Sequence, residues 1–237
     1  MEKQTMLYEG KAKQIYSCEN SNYVVIHYKD DATAGNGEKK AQFANKGPLN
    51  AAISTIIFEY LIENGIPTHF VEQLNERDVV CEKVSIIPLE VIIRNIATGS
   101  LTRNLGITEG TKLIPPVVEI CYKNDDYGDP LINTSHAIAL GLATEAQLNV
   151  LYAQIRKINE LLITRFEKAG ITLVDFKIEF GTNAKGEVIL ADEISPDTCR
   201  FWDAKTGNKL DKDRFRQDLG DVMGAYEEIH KRLLATK

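Results

Sequence analysis

Apolar residues recur at steps of three and four through Leu148, Leu151, Ile155, Ile158, Leu162 and Phe166, the period of one helix face. Thr144-Glu145-Ala146-Gln147 ahead of them is a capping box and Gly170 behind them a C-terminal stop, so a helix is predicted between the two. A second helix fits 48–64, with Pro48 early, Ile53, Ile56, Ile57, Tyr60 and Leu61 at the same spacing, and Gly65 past its end. A last one is predicted from near Asp211 or Asp213 to Leu234. Steps of two appear elsewhere. Residues 172–180 alternate as a strand, turn through 181–186 and return over 187–194. Shorter strands are expected at Leu7-Tyr8, Gln14-Ile15-Tyr16, 23–28, 68–70, 79–85 and 89–93, and a polar loop over 30–37. The stretch 99–141 reads as loop, with Pro115-Pro116 and 123–130 as turn chemistry. These elements predict an α+β protein in two lobes, a β-rich 1–85 with one helix and an α+β 86–237.

Composition narrows the function classes. The 237 residues are 43% hydrophobic and 26% charged, ordinary for a globular protein with a core of its own. Twenty-eight Lys and Arg against 34 Asp and Glu leave a net charge of −6, a poor balance for nucleic-acid binding, which neutralises phosphates with a basic face. Apolar stretches such as Val91-Ile92-Ile93 fall far short of the roughly 18 residues of a membrane span, and the first residues lead into no apolar segment. No membrane association is expected, and the cytoplasm is the expected compartment. Cys18, Cys81, Cys121 and Cys199 are scattered, without a CxxC pair and away from His27, His69, His136 and His230. Reduced thiols are expected, so any metal must take oxygen ligands.

The strand 173–181 carries the densest chemistry. Val174, Phe176, Ile178 and Phe180 share one face, and Asp175, Lys177 and Glu179 the other. Alternating charges on a strand are commonly a solvated face, but the returning strand is apolar on both sides, reads as central, and favours a site. Glu179 and Asp192 together could hold Mg²⁺, which takes one or two carboxylates alongside substrate phosphates. A simple hairpin pairing Phe180 with Glu187 sets Asp192 opposite Asp175, about 13 Å along the strand from Glu179 at ~3.3 Å per residue; shared coordination then needs another register. Gly10-Lys11-Ala12-Lys13 between two strands could cradle phosphates or be an ordinary basic turn. Glu90, Ile92 and Arg94 share a strand face ahead of Gly99-Ser100. Arginine with a Gly-Ser turn suits a phosphomonoester, and a salt-bridged surface strand suits the same pattern.

Two long segments, Ile87-Pro88-Leu89-Glu90-Val91-Ile92-Ile93-Arg94-Asn95-Ile96-Ala97-Thr98-Gly99-Ser100 and Leu173-Val174-Asp175-Phe176-Lys177-Ile178-Glu179-Phe180-Gly181, resemble the signatures of the SAICAR synthetase family. Tyr8-Glu9-Gly10-Lys11-Ala12-Lys13, the 30–37 loop and Asp192-Glu193-Ile194-Ser195-Pro196-Asp197 are similar to that family too, in order along essentially the whole chain, and the length fits its compact bacterial form. The resemblance implies a two-lobed α+β fold related to ATP-grasp and kinase-like folds, with antiparallel sheets and ATP between the lobes. It implies an ATP- and Mg²⁺-dependent ligase joining L-aspartate to the carboxylate of a carboxyaminoimidazole ribotide in purine biosynthesis, through an acyl phosphate. Residue by residue, it places Gly10, Lys11, Ala12 and Lys13 over the ATP phosphates and Glu82 and Ile86 beside the adenine. Glu179 and Asp192 become the magnesium and nucleotide carboxylates. Glu90, Arg94, Ser100 and Arg200 become ribotide contacts, Asp175 and Lys177 groups at the imidazole and its carboxylate, and Gly35 and Asn36 neighbours of aspartate. A homodimer is the expected assembly.

Two other classes fit parts of the same pattern. A kinase-like phosphotransferase would release ADP without aspartate, and a regulatory nucleotide-binding module would bind without turnover. Intact charges throughout the matched motifs argue against the module.

Overall fold

The computed structural model describes residues 1–35 and 37–236. The chain opens with β1 (Met6–Glu9), β2 (Lys13–Ser17) and β3 (Tyr23–Tyr28), then a hairpin of β4 (Asp31–Ala34) and β5 (Lys39–Gln42). Helix α1 (Lys46–Glu63), β6 (Phe70–Gln73) and β7 (Asp78–Glu82) follow. The five strands outside the hairpin form an antiparallel sheet in the order β1-β2-β3-β7-β6. Helix α1 begins two residues before the expected Pro48. It lies against β3 and β6 on one side and the C-terminal helix on the other, which is why Ile53, Ile57 and Leu61 are fully buried. The expected 30–37 loop is largely the β4–β5 hairpin, with Ala32 opposite Ala41.

A second sheet starts at Ser85. Its strands are β8 (Ser85–Ile96), β9 (Lys112–Tyr122), β10 (Leu131–Ile132), β11 (Ile171–Thr182), β12 (Val188–Ala191) and β13 (Cys199–Asp203). The order is β10-β9-β8-β11-β12, with β13 also paired to β11. Between them lie α2 (Ser100–Leu105), a 3₁₀ turn (Asp125–Tyr127), α3 (Thr134–Ala139) and α4 (Glu145–Lys168), and after them α5 (Asp213–Arg216) and α6 (Val222–Leu234). Helix α4 carries the capping box as expected and packs on β8 and β11. Among the described residues no helix is long and apolar enough to cross a membrane, and the four cysteines are free and buried.

Three expectations are corrected, and one register that the sequence leaves open is settled. The 99–141 stretch holds the eleven-residue strand β9; Pro115 and Pro116 sit where its register with β8 shifts, between Arg94↔Val117 and Ile96↔Lys112, so they interrupt no regular ladder. The last helix is two, because Asp218, Gly220 and Asp221 take positive φ between α5 and α6. Strand β12 ends its sheet instead of lying centrally. Its outer edge is covered by residues 67–69, through Leu190 N to Pro67 O at 2.9 Å and His69 N to Leu190 O at 2.8 Å, which accounts for its apolar character. Finally, Phe180 pairs with Leu190, not Glu187. The Asn183 side chain accepts from Lys185 N and Glu187 N at 3.0 and 2.9 Å and lengthens the turn. Ala191 then lies opposite Glu179, and Asp192 comes next to Glu179 rather than opposite Asp175.

Candidate active site

Asp175 and Glu179 are only 3% exposed, which excludes a solvated face for this side of β11. Two adjoining cavities lie over it. The larger, of about 570 Å³, is lined by the Gly10–Lys13 turn, the 82–86 crossing between the sheets, Lys123, Lys177, Glu179 and Asp192. The smaller, of about 310 Å³, is lined by Arg94, Ser100, Asp175, Arg200 and Arg216. Glu90, Lys177, Asp197 and Thr198 line both.

In the larger cavity, the turn between β1 and β2 is closed by Gly10 N donating to Lys13 O at 2.8 Å. Lys13 reaches across to Asp192 and, at 3.1 Å, to Glu193. Burial opposes the charge on Lys13, but those two carboxylates outweigh it and hold the ammonium well above the usual lysine range. Burial likewise opposes ionisation of Asp192, and Lys13 and Lys177 outweigh it, keeping the carboxylate below its ordinary range. Glu179 Oε1 accepts from Lys123 at 2.7 Å and Lys177 at 3.1 Å, and Lys177 also donates to Glu90 at 2.8 Å. Lys11 spans the exposed rim to Asp125 at 2.7 Å. At the other end Leu7, Ile15, Val24 and Ile26 form an apolar wall beside Glu82, Lys83, Val84 and Ile86. Gly181 makes that crossing possible: a Cβ there would stand 2.5 Å from Val84 Cγ2.

The smaller cavity is an arginine cluster organised by one carboxylate. On β11, Asp175 is opposite Arg94 of β8 on one side and Arg200 of β13 on the other. Its Oδ2 accepts from both guanidinium groups, at 2.9 and 2.8 Å. Arg94 divides its remaining donors between Glu119 at 2.8 Å and Ser100 Oγ at 2.9 Å. Asp213 holds Arg200 at 2.9 Å and Arg216 at 2.6 Å. Burial works against the Arg200 charge, yet Asp175 and Asp213 hold it above its ordinary value. Gly99, at φ +61, admits the Arg200 guanidinium to a place where a Cβ would stand 2.8 Å from Nη2.

The expected residues therefore assemble around one cleft, with two exceptions. Gly35 lies in the β4–β5 turn at φ +59 and lines neither cavity; Asp31 and Thr33 of β4 do line the larger one. Asn36 lies outside the described residues. Sequence reasoning missed Lys123, Lys212, Arg216 and His69, which all face the cavities. Lys123 stands in a turn-like segment, and Lys212 and Arg216 in a charged run that reads as a solvated helix start. His69 has no patterned neighbour; burial pushes its ring down to about 4, with Lys13 acting in the same direction, so it is neutral near pH 7.

Among the described residues, six lysines and nine carboxylates line the larger cavity. No group of three or more His, Cys, Asp or Glu side chains forms an all-protein metal cage among the described residues. The cleft thus joins an apolar slot, a lysine–carboxylate floor and an adjoining arginine cluster.

The family pattern for SAICAR synthetase matches residues 6–233. A phosphoribosylaminoimidazole-succinocarboxamide synthase of Fusobacterium nucleatum is 60% identical over the full length of both chains, and one of Clostridium botulinum is 59% identical over 98% of this chain and 99% of its own. The crystal structure of the Ehrlichia chaffeensis synthase matches with a TM-score of 0.95 at 42% identity, covering 98% of this chain and all of that one. A SAICAR synthetase solved in complex with ADP matches at 0.94 and 48% identity, covering 97% and 98%. The chain belongs to the SAICAR synthetase family, ATP-dependent ligases of purine biosynthesis, and has that family's α+β fold.

Proposed function

We propose that the larger cavity binds ATP between a lobe of residues 1–85 and a lobe of residues 86–237, and that the smaller one binds the carboxyaminoimidazole ribotide. The observation that carries this is the shared wall: Lys177 and Glu90 line both cavities, so a γ-phosphate entering from one side and a substrate carboxylate from the other meet at one ammonium. The adenine lies against the apolar wall beside Glu82 and Ile86. The phosphates lie under Gly10, Lys11, Ala12 and Lys13. Arg94, Ser100 and Arg200 take the ribotide phosphate, guanidinium forks suiting its oxygens.

Glu179 and Asp192 fit Mg²⁺, a hard cation that keeps waters and phosphate oxygens beside one or two carboxylates. Both carboxylates line the larger cavity, and such an oxygen-only donor pair suits a hard cation. Mg²⁺ supplies neutralisation of the β- and γ-phosphate oxygens when bound.

The carboxylate oxygen of the ribotide attacks the γ-phosphorus, the bond to the β,γ-bridging oxygen breaks, and ADP leaves. The amine of L-aspartate, bound near the β4–β5 hairpin whose Asp31 and Thr33 line the larger cavity, then attacks the acyl carbon. The carbon–oxygen bond to phosphate breaks, the attacking amine gives up one proton to the departing phosphate or to water and keeps the other as the amide N–H, and the amide and inorganic phosphate result. Lys177 offsets the charge of the two anions that must approach, and Asp175 holds the arginines that position the ribotide. A biosynthetic ligase with free, buried cysteines suits the reducing cytoplasm.

A coupled assay for ADP release tests the reading. Multiple-turnover release is expected only when aspartate and the ribotide carboxylate are both present, and is expected to vanish with EDTA but survive a zinc-selective chelator. Multiple-turnover release without aspartate would establish a phosphotransferase instead, and full activity in metal-free buffer would remove Glu179 and Asp192 from a metal role. Gly99→Ala tests the smaller cavity. Its methyl group displaces the Arg200 guanidinium, so the ribotide KM is expected to rise roughly ten- to a hundredfold, the worth of one charge-assisted hydrogen bond. An unchanged KM would take Arg200 out of the phosphate site.

A further inference from the structure

Asp192 reaches the cavity through a backbone turn that its strand alone would not make. Glu179 and Ala191 are opposite each other on paired strands, so their side chains share a face. A strand continued through residue 192 would aim that side chain the other way, to the face of the fully buried Leu190. Instead Asp192 has φ +63, a left-handed conformation that a residue with a Cβ keeps where its surroundings impose it. Its carboxylate thereby meets Lys13 in the larger cavity.

The neighbouring segment supplies the constraint. His69 Nε2 lies 3.2 Å from the Asp192 carbonyl oxygen. A carbonyl only accepts, so a hydrogen bond there requires Nε2 to carry the proton, and Cys81 Sγ, 3.6 Å from the same nitrogen, is then a weak second acceptor. The ring has little freedom to move. His69 is 3% exposed and packs on Phe58 with 5.5 Å between ring centroids. Its own backbone is tied at both ends, N to Leu190 O at 2.8 Å and O from Glu82 N at 2.6 Å. A rigid donor thus bears on the one peptide whose conformation decides where the Asp192 carboxylate points.

We propose that His69 is a positioning residue: its ring holds the Asp192 peptide in the left-handed turn and keeps that carboxylate directed at the nucleotide phosphates and their metal. The inference rests on the reading of Asp192 as a nucleotide and metal carboxylate. Without the donor, residue 192 relaxes toward extended backbone, and its carboxylate turns from Lys13 toward the Leu190 face. Lys13 keeps Glu193 as its partner, so the consequence falls on metal-dependent nucleotide binding and not on the lysine.

Calorimetric titration of the full chain with ADP, with and without MgCl₂, tests this in Asp192→Asn, His69→Leu and His69→Gln. Glutamine sets its amide NH₂ where Nε2 lies. Asp192→Asn and His69→Leu are expected to lose the Mg²⁺-dependent gain in ADP affinity to a similar extent, roughly ten- to a hundredfold, the usual cost of losing a group that orients a metal ligand. His69→Gln is expected to retain it within about threefold. A full Mg²⁺-dependent gain in His69→Leu, with Asp192→Asn impaired, overturns the positioning role and leaves the reading of Asp192 standing. An unimpaired Asp192→Asn overturns both. Glutamine failing as badly as leucine also overturns the proposal, assigning His69 to packing. Should His69→Leu not fold, His69→Asn replaces it, because its amide lies where Nδ1 is and cannot reach the carbonyl; a gain equal to that of His69→Gln then overturns the proposal.

Discussion

Lys177→Met is expected to leave a folded, nucleotide-binding protein that turns over roughly a hundred to a thousand times more slowly, the effect of removing one preorganised charge, ~3–4 kcal/mol. The ammonium is set between Glu90 at 2.8 Å and Glu179 at 3.1 Å. Burial opposes its charge, but Glu179, Asp192 and Glu90 hold it far above the ordinary lysine range. It therefore stays charged throughout any working pH and acts as a fixed positive pole, not as a proton carrier. Methionine keeps most of the apolar stem. The packing face of β11, with Phe176, Ile178 and Phe180 at most 1% exposed, is untouched. Glu179 retains Lys123 at 2.7 Å, so the loss of stability is expected to be on the order of 1–2 kcal/mol, mainly from Glu90. Thermal unfolding, ADP titration and single-turnover rates separate these effects. A mutant within about threefold of the parent rate would move the reaction away from the shared wall of the two cavities. Unfolding tens of degrees early would make Lys177 structural.

Arg94→Lys is expected to raise the ribotide KM about a hundredfold while the ATP KM stays within about threefold, because lysine offers a point charge in place of a fork. Arg94 bonds Glu119, Asp175 and Ser100 through three different nitrogens at 2.8, 2.9 and 2.9 Å. One ammonium cannot span three partners on β9, β11 and α2, so Ser100 loses its tie and Asp175 is left with Arg200 alone. Steady-state kinetics with each substrate varied in turn gives the comparison. Equal effects on both KM values would remove Arg94 from the phosphate site.

How far the chain could be read without its structure follows from the range of each interaction. The strand 171–182 and the helix 145–168 were legible because their periods and caps are local. The cluster of Arg94, Asp175 and Arg200 was legible only as isolated residues. Asp175 holds both arginines because β8 and β13 flank β11 on opposite sides, and strand order is not written in a local period. The Glu179–Asp192 geometry was left open by a turn: a minimal hairpin connection would set Asp192 opposite Asp175, and the Asn183 side-chain bonds that lengthen it show in the sequence only as one polar residue among several. Strand β9 was hidden by Pro115-Pro116, tolerated because its register with β8 shifts there. Lys123, Lys212 and Arg216 looked like surface charge, since nothing local separates a lysine aimed into a cleft from one aimed into water.

The hydrogen bonds from residues 67–69 to β12 do more than cover an open edge. They fasten the strand leading into the first sheet to the last strand of the second by main chain, with Thr68 bridged to Leu190. At the exposed rim the cleft is spanned by the side-chain pair Lys11–Asp125, which salt and solvent weaken. The cleft is thus held at its floor by main-chain hydrogen bonds, which salt barely affects, and at its mouth by an ion pair that salt screens. Asp192 adjoins that seam and Lys11 lies at the free edge. Raising the ionic strength therefore weakens the tie at Lys11 while leaving the main-chain seam beside Asp192 in place.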